Sequence, residues 1–96
     1  MMVLVAIQDG PPRLRGRLST LLLELQAGVY AGSLTSKGRE AVWELIVDHL
    51  EEGSAVMAWP DPDNATGVDF WTQGANRRQA VVIDGVRLVD FPRLKE

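Results

Sequence analysis

Two stretches of apolar residues with helical spacing constrain the fold of this chain more than any other feature. They lie within residues 14–25 and 42–50. Their members are Leu14, Leu18, Leu21, Leu22 and Leu25 in the first, and Val42, Trp43, Ile46 and Leu50 in the second. Apolar side chains spaced three and four residues apart form the buried face of a helix. Since 96 residues suffice for one domain, both helices are expected to pack on one core.

The segments around these two stripes read as strands. The first helix is expected to begin at Pro12, because proline is favoured in a first turn, and to end near Gly28. Thr35 or Ser36 can cap the second helix. The expected strands are residues 2–8, 28–34, 54–59, 68–72, 79–83 and 86–89, the last two joined by Asp84-Gly85. This order predicts an α+β sandwich, with two helices on one face of a small, mainly antiparallel sheet.

The last strands have little core left to cover within one chain. We therefore expect a core domain over residues 1–78 and a C-terminal strand and tail over residues 79–96. A strand without a partner in its own subunit can extend the sheet edge of a second copy. The pattern thus indicates a homodimer.

Composition excludes several classes of protein. The chain has no cysteine, which excludes disulfides and thiolate metal sites and favours a cytoplasmic location. No apolar run approaches the roughly 20 residues that a membrane-spanning helix needs. The apolar start, residues 1–7, lacks a basic leader and is expected to be a strand.

The charge is distributed unevenly along the chain, although the net charge is only -3. Between residues 12 and 39, Glu24 is the only acid. The basic residues there are Arg13, Arg15, Arg17, Lys37 and Arg39, and Arg77 and Arg78 follow later. A basic face can bind phosphate on a protein that is acidic overall. The alternative is a solvated surface of mixed charge.

Two arginine segments are candidates for phosphate binding. In residues 11–17, arginines combine with the positive end of a helix. Arg13 and Arg17 share a face, whereas Arg15 points roughly 200° away. The Asn76-Arg77-Arg78 segment is expected to be a loop that either reaches a duplex backbone or simply connects two strands.

Asp9 is the candidate for metal chemistry. It follows the first strand, where a carboxylate could hold Mg²⁺ or Mn²⁺ if a dimer axis brought two copies together. The alternative is that Asp9 caps the following helix or loop. His49, the only histidine, is expected to be a surface residue rather than a general base. The sequence contains no nucleophile motif or phosphate-cradling glycine loop.

Six segments together resemble a known family. They are Pro-Pro-Arg-Leu-Arg-Gly-Arg-Leu at 11–18, Ala-Gly-Val-Tyr at 27–30, Glu-Glu-Gly at 51–53, Val-Met-Ala-Trp at 56–59, Asn-Arg-Arg at 76–78 and Asp-Gly-Val-Arg-Leu-Val at 84–89. In register over almost the whole chain, they resemble the small CRISPR-associated adaptation protein of the type I-E subtype. The resemblance implies a ferredoxin-like fold and a homodimer with exchanged C-terminal strands.

The resemblance also implies a role in spacer acquisition. Integrase dimers would flank this homodimer, and a prespacer DNA duplex would lie across it. The duplex backbone would be contacted by Arg13, Arg15, Arg77, Arg78 and Lys37. The tail from about Val82 to Leu94 would help to bind the integrase.

The family is also labelled a metal-dependent endonuclease, which would act on RNA or DNA. Its acidic residue at the end of the first strand corresponds to Asp9, which would be both the catalytic residue and the ligand of Mg²⁺ or Mn²⁺. That residue is thought dispensable for spacer acquisition in this subtype, so the scaffold role is favoured. A third hypothesis is an unrelated ferredoxin-like module that binds a small ligand and ignores DNA.

Overall fold

The computed structural model describes residues 1–74 in full and residues 79–83 and 86–90 as backbone strands. Two helices and seven strands lie within these residues. In chain order they are β1 (Met2–Gln8), α1 (Pro12–Leu21), β2 (Leu23–Gln26), β3 (Val29–Ser33), α2 (Ser36–His49), β4 (Ser54–Pro60), β5 (Val68–Gln73), β6 (Gln79–Ile83) and β7 (Val86–Asp90).

Five of the strands form one antiparallel sheet in the order β2-β3-β1-β4-β5. The elements from β1 to β4 follow the order β-α-β-β-α-β with β1 and β3 in the centre, which is the ferredoxin-like arrangement. β5 adds a further strand beside β4. β6 and β7 pair with each other as a separate hairpin. The predicted α+β, ferredoxin-like fold is confirmed.

The core lies between the two helices and one face of the sheet. Alternate strand residues are buried, as a period of two requires, and each helix contributes leucine, isoleucine or valine side chains four residues apart. The buried members are Val3, Val5, Ile7, Leu14, Leu18, Leu22, Tyr30, Val42, Ile46, Leu50, Ala55, Met57 and Trp59. Neither helix in the described part of the chain is long and apolar enough to span a bilayer.

The prediction that the first helix continues to Gly28 is wrong. α1 ends at Leu21, and Leu22 already has an extended backbone, with φ −134° and ψ 161°. Leu22 is buried, whereas Leu25 is 56% exposed and so is not part of a buried helical stripe. The reason is a hairpin: Gly28 adopts φ +82° and turns β2 back onto β3. Pairing between these strands outweighs the helical spacing of the leucines.

The second helix begins as predicted. The Thr35 hydroxyl accepts a hydrogen bond from the Gly38 backbone N–H at 3.0 Å, which caps the first turn of α2. Val42 and Ile46 on this helix are buried, while the acidic side chains on its outer face are exposed. The helical spacing therefore identified the correct buried face.

The sheet face opposite the helices, here called the open face, is apolar. The strand register aligns one row of side chains across all five strands, which consists of Leu23, Ala31, Leu4, Ala58 and Phe70. Leu4 is 46% exposed and Met2 59% exposed. Neither α1 nor α2 covers this face, so the open face is a candidate for contact with another chain.

Candidate nucleic-acid interface

The first turn of α1 presents arginines at the positive end of a helix. Pro11 is extended and Pro12 begins the helix, and no acidic residue lies in the first turn. The Arg15 N–H donates to the Pro11 carbonyl at 3.1 Å, which is an early helical bond of α1. Arg13, Arg15 and Arg17 are exposed, while Leu14 and Leu18 point into the core. This end of α1 can therefore attract an anion such as phosphate.

Several loops meet where β1 ends, a region here called the β1 end. The Ile7 N–H donates to the Gly28 carbonyl at 2.7 Å, which places the β2–β3 turn beside β1. A side chain on Gly53 would lie 2.7 Å from the Asp9 carbonyl oxygen, and one on Gly74 would overlap the Gly53 carbonyl oxygen. Gly74 thus lies against Gly53 and Ser54, and Gly53 in turn lies against Gln8 and Asp9. Arg77 and Arg78 follow this point and lie outside the described residues.

Lys37 lies at the opposite end of the sheet. It is exposed in the first turn of α2, whose 14 residues run back towards the β1 end. At about 1.5 Å per residue, the helix rises about 18 Å from Lys37 to its last residue, His49, and separates Lys37 from the β1 end by about that distance. Within one protomer, Lys37 is therefore not grouped with Arg13 and Arg15.

Asp9 lies at the β1 end in a left-handed backbone conformation, with φ 59°. Aspartate tolerates this conformation better than most residues. Its side chain is exposed and lines a cleft together with Ile7, Gly10, Arg15, Ala27 and Gly28. No side chain caps α1, so Asp9 is not the helix cap that the alternative interpretation predicted.

The described residues contain no cluster of three or more histidine or carboxylate side chains that could hold a metal ion. Asp9 of one protomer therefore offers Mg²⁺ or Mn²⁺ a single carboxylate, which is a weak site for either ion. A metal role for Asp9 requires further ligands from a second copy or from the phosphates of a substrate. It stays a prediction.

A polar cluster under α1 was not predicted from the sequence. Tyr30 on β3 is fully buried, and its hydroxyl donates to the Arg15 carbonyl at 3.5 Å. The Glu24 carboxylate accepts from the Ser19 hydroxyl at 3.3 Å and from the Gly28 N–H at 3.4 Å. Burial, followed by the nearby charge of Glu24, raises the pKa of Tyr30 above its ordinary value. We call Tyr30, Ser19 and Glu24 the Tyr30 cluster.

Arg39 is not part of the exposed basic surface. Its guanidinium carbon lies 4.2 Å from the ring centroid of Trp59 and 4.9 Å from that of Trp71. Trp71 also contacts Trp43 and Trp59, at centroid distances of 5.9 Å and 4.5 Å. The tryptophans thus pack between α2, β4 and β5 and stack on one another and on Arg39.

These features define a class of protein: a small ferredoxin-like domain with an arginine-bearing helix start and an apolar open face. Residues 1–88 match the model of a family described as "CRISPR-associated protein (Cas_Cas2CT1978)". The chain belongs to this Cas2-type family of CRISPR-associated proteins. Its role is therefore related to CRISPR systems, as the resemblance implied.

Proposed function

We propose that this protein is the DNA-positioning subunit of a type I-E CRISPR adaptation complex. A homodimer would hold a prespacer duplex and bridge two integrase dimers. The observation that carries the proposal is the arrangement of residues at the β1 end. There the exposed Arg13 and Arg15 stand at the positive end of α1, and Gly74, the last described residue before Arg77 and Arg78 in the chain, lies against the Gly53 loop.

Arginines that contact phosphates hold a duplex in place without reading its sequence. Arg13 and Arg15, which point to different sides of the first turn of α1, would contact the duplex near the β1 end together with Arg77 and Arg78. Lys37, about 18 Å away along α2, would contact a stretch about five phosphates further on, at about 3.4 Å per phosphate of one strand. This spacing suits a scaffold that lies along a duplex rather than a pocket that binds one nucleotide.

The open face supports the homodimer. Its central row contains the small side chains of Ala31 and Ala58, so two such faces can approach closely. The β6–β7 hairpin pairs with itself, and an isolated two-stranded hairpin is marginally stable in water. If two copies exchanged this hairpin, the hairpin would gain a partner sheet and the open face would be covered. A second copy of the chain is therefore the occupant that we propose for the open face.

The decisive experiment measures the affinity of a short DNA duplex at several salt concentrations. Arg13→Ala with Arg15→Ala is expected to weaken binding at least tenfold for every sequence and to flatten the salt dependence. The same result is expected for Arg77→Ala with Arg78→Ala. Ala65→Glu is the control, because it adds a negative charge in the exposed turn between β4 and β5, at the end of the sheet away from the β1 end. Unchanged affinity in both arginine double variants would contradict the proposal.

The alternative function is a metal-dependent endonuclease centred on Asp9. It is favoured by one observation: the Asp9 carboxylate is exposed in a cleft that Arg15 also lines. The carboxylates of two copies could hold Mg²⁺ or Mn²⁺, which would stabilise charge on a phosphate. Cleavage of RNA or DNA that requires the metal and disappears in Asp9→Asn would support this function. Cleavage that persists in Asp9→Asn would exclude Asp9 as its source.

A further inference from the structure

The hydrophobic contacts of α1 fix its rotation about its own axis only in part. The helix has ten residues, and only Leu14 and Leu18 are buried. Apolar contacts are non-directional, so Leu14 and Leu18 hold α1 on the sheet but restrict its rotation about its own axis less than a hydrogen bond to its backbone does. The direction of each arginine side chain depends on that rotation. A directional contact to the helix backbone would fix this rotation more closely.

The Tyr30 cluster supplies such a contact. The phenol of Tyr30 rises from β3, and its hydroxyl reaches the carbonyl of Arg15 itself. Because Tyr30 is 0% exposed, the position of its ring is fixed by the core. Glu24 lies opposite Tyr30 in the strand register and bonds to Ser19 on the last half of α1. The same carboxylate accepts from Gly28, which lines the cleft beside Arg15.

We propose that the Tyr30 hydroxyl is a positioning group that sets the rotation of α1 and thereby directs the Arg15 guanidinium towards the duplex. This inference rests on the proposed function. Tyr30 would not touch DNA, because its side chain is enclosed beneath the helix. Arg77 lies in a different segment, after β5, and would not depend on Tyr30.

The test is a pair of double-mutant cycles on duplex affinity, with Tyr30→Phe combined with Arg15→Ala in one and with Arg77→Ala in the other. Tyr30→Phe keeps the ring in the core and removes only the hydroxyl. It is expected to weaken affinity about 3- to 10-fold and to reduce the salt slope by about one, as Arg15→Ala does. Added to Arg15→Ala it should cost nothing further, whereas with Arg77→Ala the effects should multiply.

Val5→Ala is the matched structural control. Val5 is also fully buried, in β1, and its truncation lowers stability without touching the Tyr30 cluster. Its effect on affinity should multiply with that of Arg15→Ala. If Tyr30→Phe does not fold, Ser19→Ala replaces it, with the same non-additive result expected at a smaller size.

The outcomes separate the two proposals. If Arg15→Ala weakens binding but Tyr30→Phe has no effect, or has an effect that multiplies with that of Arg15→Ala, the positioning role of Tyr30 is wrong and the proposed function stands. If the wild-type protein binds no duplex, or if the arginine variants bind as tightly as wild type, the proposed function fails and the positioning role fails with it.

Discussion

Arg15 and Arg39 carry the same charge and have different roles at the scale of single residues. Arg15 is exposed at the start of α1, whereas the guanidinium of Arg39 lies over two indole rings. The Nε atom of Arg39 is buried without a hydrogen-bond partner, so this guanidinium makes more contact with aromatic rings than with polar groups. Arg39 is half-buried, and its contact with Trp59 and Trp71 indicates that it helps to hold α2 on β4 and β5.

Replacing Arg39 with methionine tests this role. Arg39→Met should lower the free energy of unfolding by about 1 kcal/mol, because a partly desolvated cation–π contact is worth about 0.5–2 kcal/mol and the unpaired Nε offsets part of that. It should also change the tryptophan emission, since Trp59 and Trp71 lose a contact. Urea unfolding followed by fluorescence measures both. Lys37→Met, which removes an exposed charge, should change neither.

Tyr30 makes stability depend on alkaline pH. Its pKa in the folded protein is raised above 10.0, so the folded state keeps the phenol proton at a pH where the unfolded state loses it. The stabilisation is complete below about pH 10 and is lost as pH rises through the folded pKa. Wild type should therefore lose more unfolding free energy between pH 9 and 11 (a range set by about one unit either side of that value) than Tyr30→Phe does.

Tyr30 is the only tyrosine, so the absorbance of tyrosinate follows its titration directly. All other ionisable groups are the same in both proteins, so their contributions cancel in the difference between the two curves. Equal losses of stability in wild type and Tyr30→Phe would contradict the assignment.

At the scale of elements, the sequence predicted all of the strands except β2. Its leucines occur at positions that suit a helix, and four residues of alternation are too few to outweigh that pattern. What decides the matter is pairing with β3, which is a tertiary contact. The start of α1 at Pro12 and the cap at Thr35 are local signals, and both were predicted.

Some features of the candidate site could be predicted from the sequence, and others depend on tertiary contacts. The exposure of Arg13 and Arg15 follows from the helical stripe, because they alternate with the buried leucines. The distance of Lys37 from the β1 end depends on the direction of α2 across the sheet. The stacking of Arg39 and the Tyr30 cluster depend on side chains that are far apart in the sequence, such as Arg15 and Tyr30. Periodicity cannot show contacts of this kind.

The turn between β2 and β3 gives a test at the same scale. Gly28→Ala should destabilise the protein by about 1–3 kcal/mol, because φ is +82° and the added methyl group would lie 2.5 Å from the Ile7 carbonyl oxygen. Gly16→Ala is the matched control. Gly16 lies within α1, and beyond its own helix turn no atom lies within 4 Å of the added methyl, so the change should stabilise by about 0.5–1 kcal/mol.

The midpoint of urea unfolding measures both glycine variants. A Gly28→Ala protein as stable as wild type would show that the turn does not hold β2 in the sheet. In that case the leucines of residues 21–25 would be free to continue α1, as the sequence pattern first predicted.

At the scale of the whole molecule, opposite charges lie on different surfaces. The outer face of α2 carries the exposed Glu40, Glu44 and Asp48, and the exposed Glu51 and Glu52 follow in the turn after the helix. The start of α1 is basic, and the open face of the sheet is uncharged along its central row. Duplex DNA would be repelled by the acidic outer face of α2 and attracted by the basic start of α1. The open face is left for contact with protein.

Dimerisation through the open face is the prediction that joins these surfaces. Leu4→Glu places a charge at the centre of the central row, where a second copy would bury it without a partner, and this should shift the protein to monomer. Val47→Glu adds the same charge on α2 and should leave the dimer intact. Size-exclusion chromatography with light scattering measures the mass of each. The monomer should also bind a duplex more weakly, because one subunit presents only half of the arginines. A Leu4→Glu protein that remains dimeric would place the contact between copies on another surface.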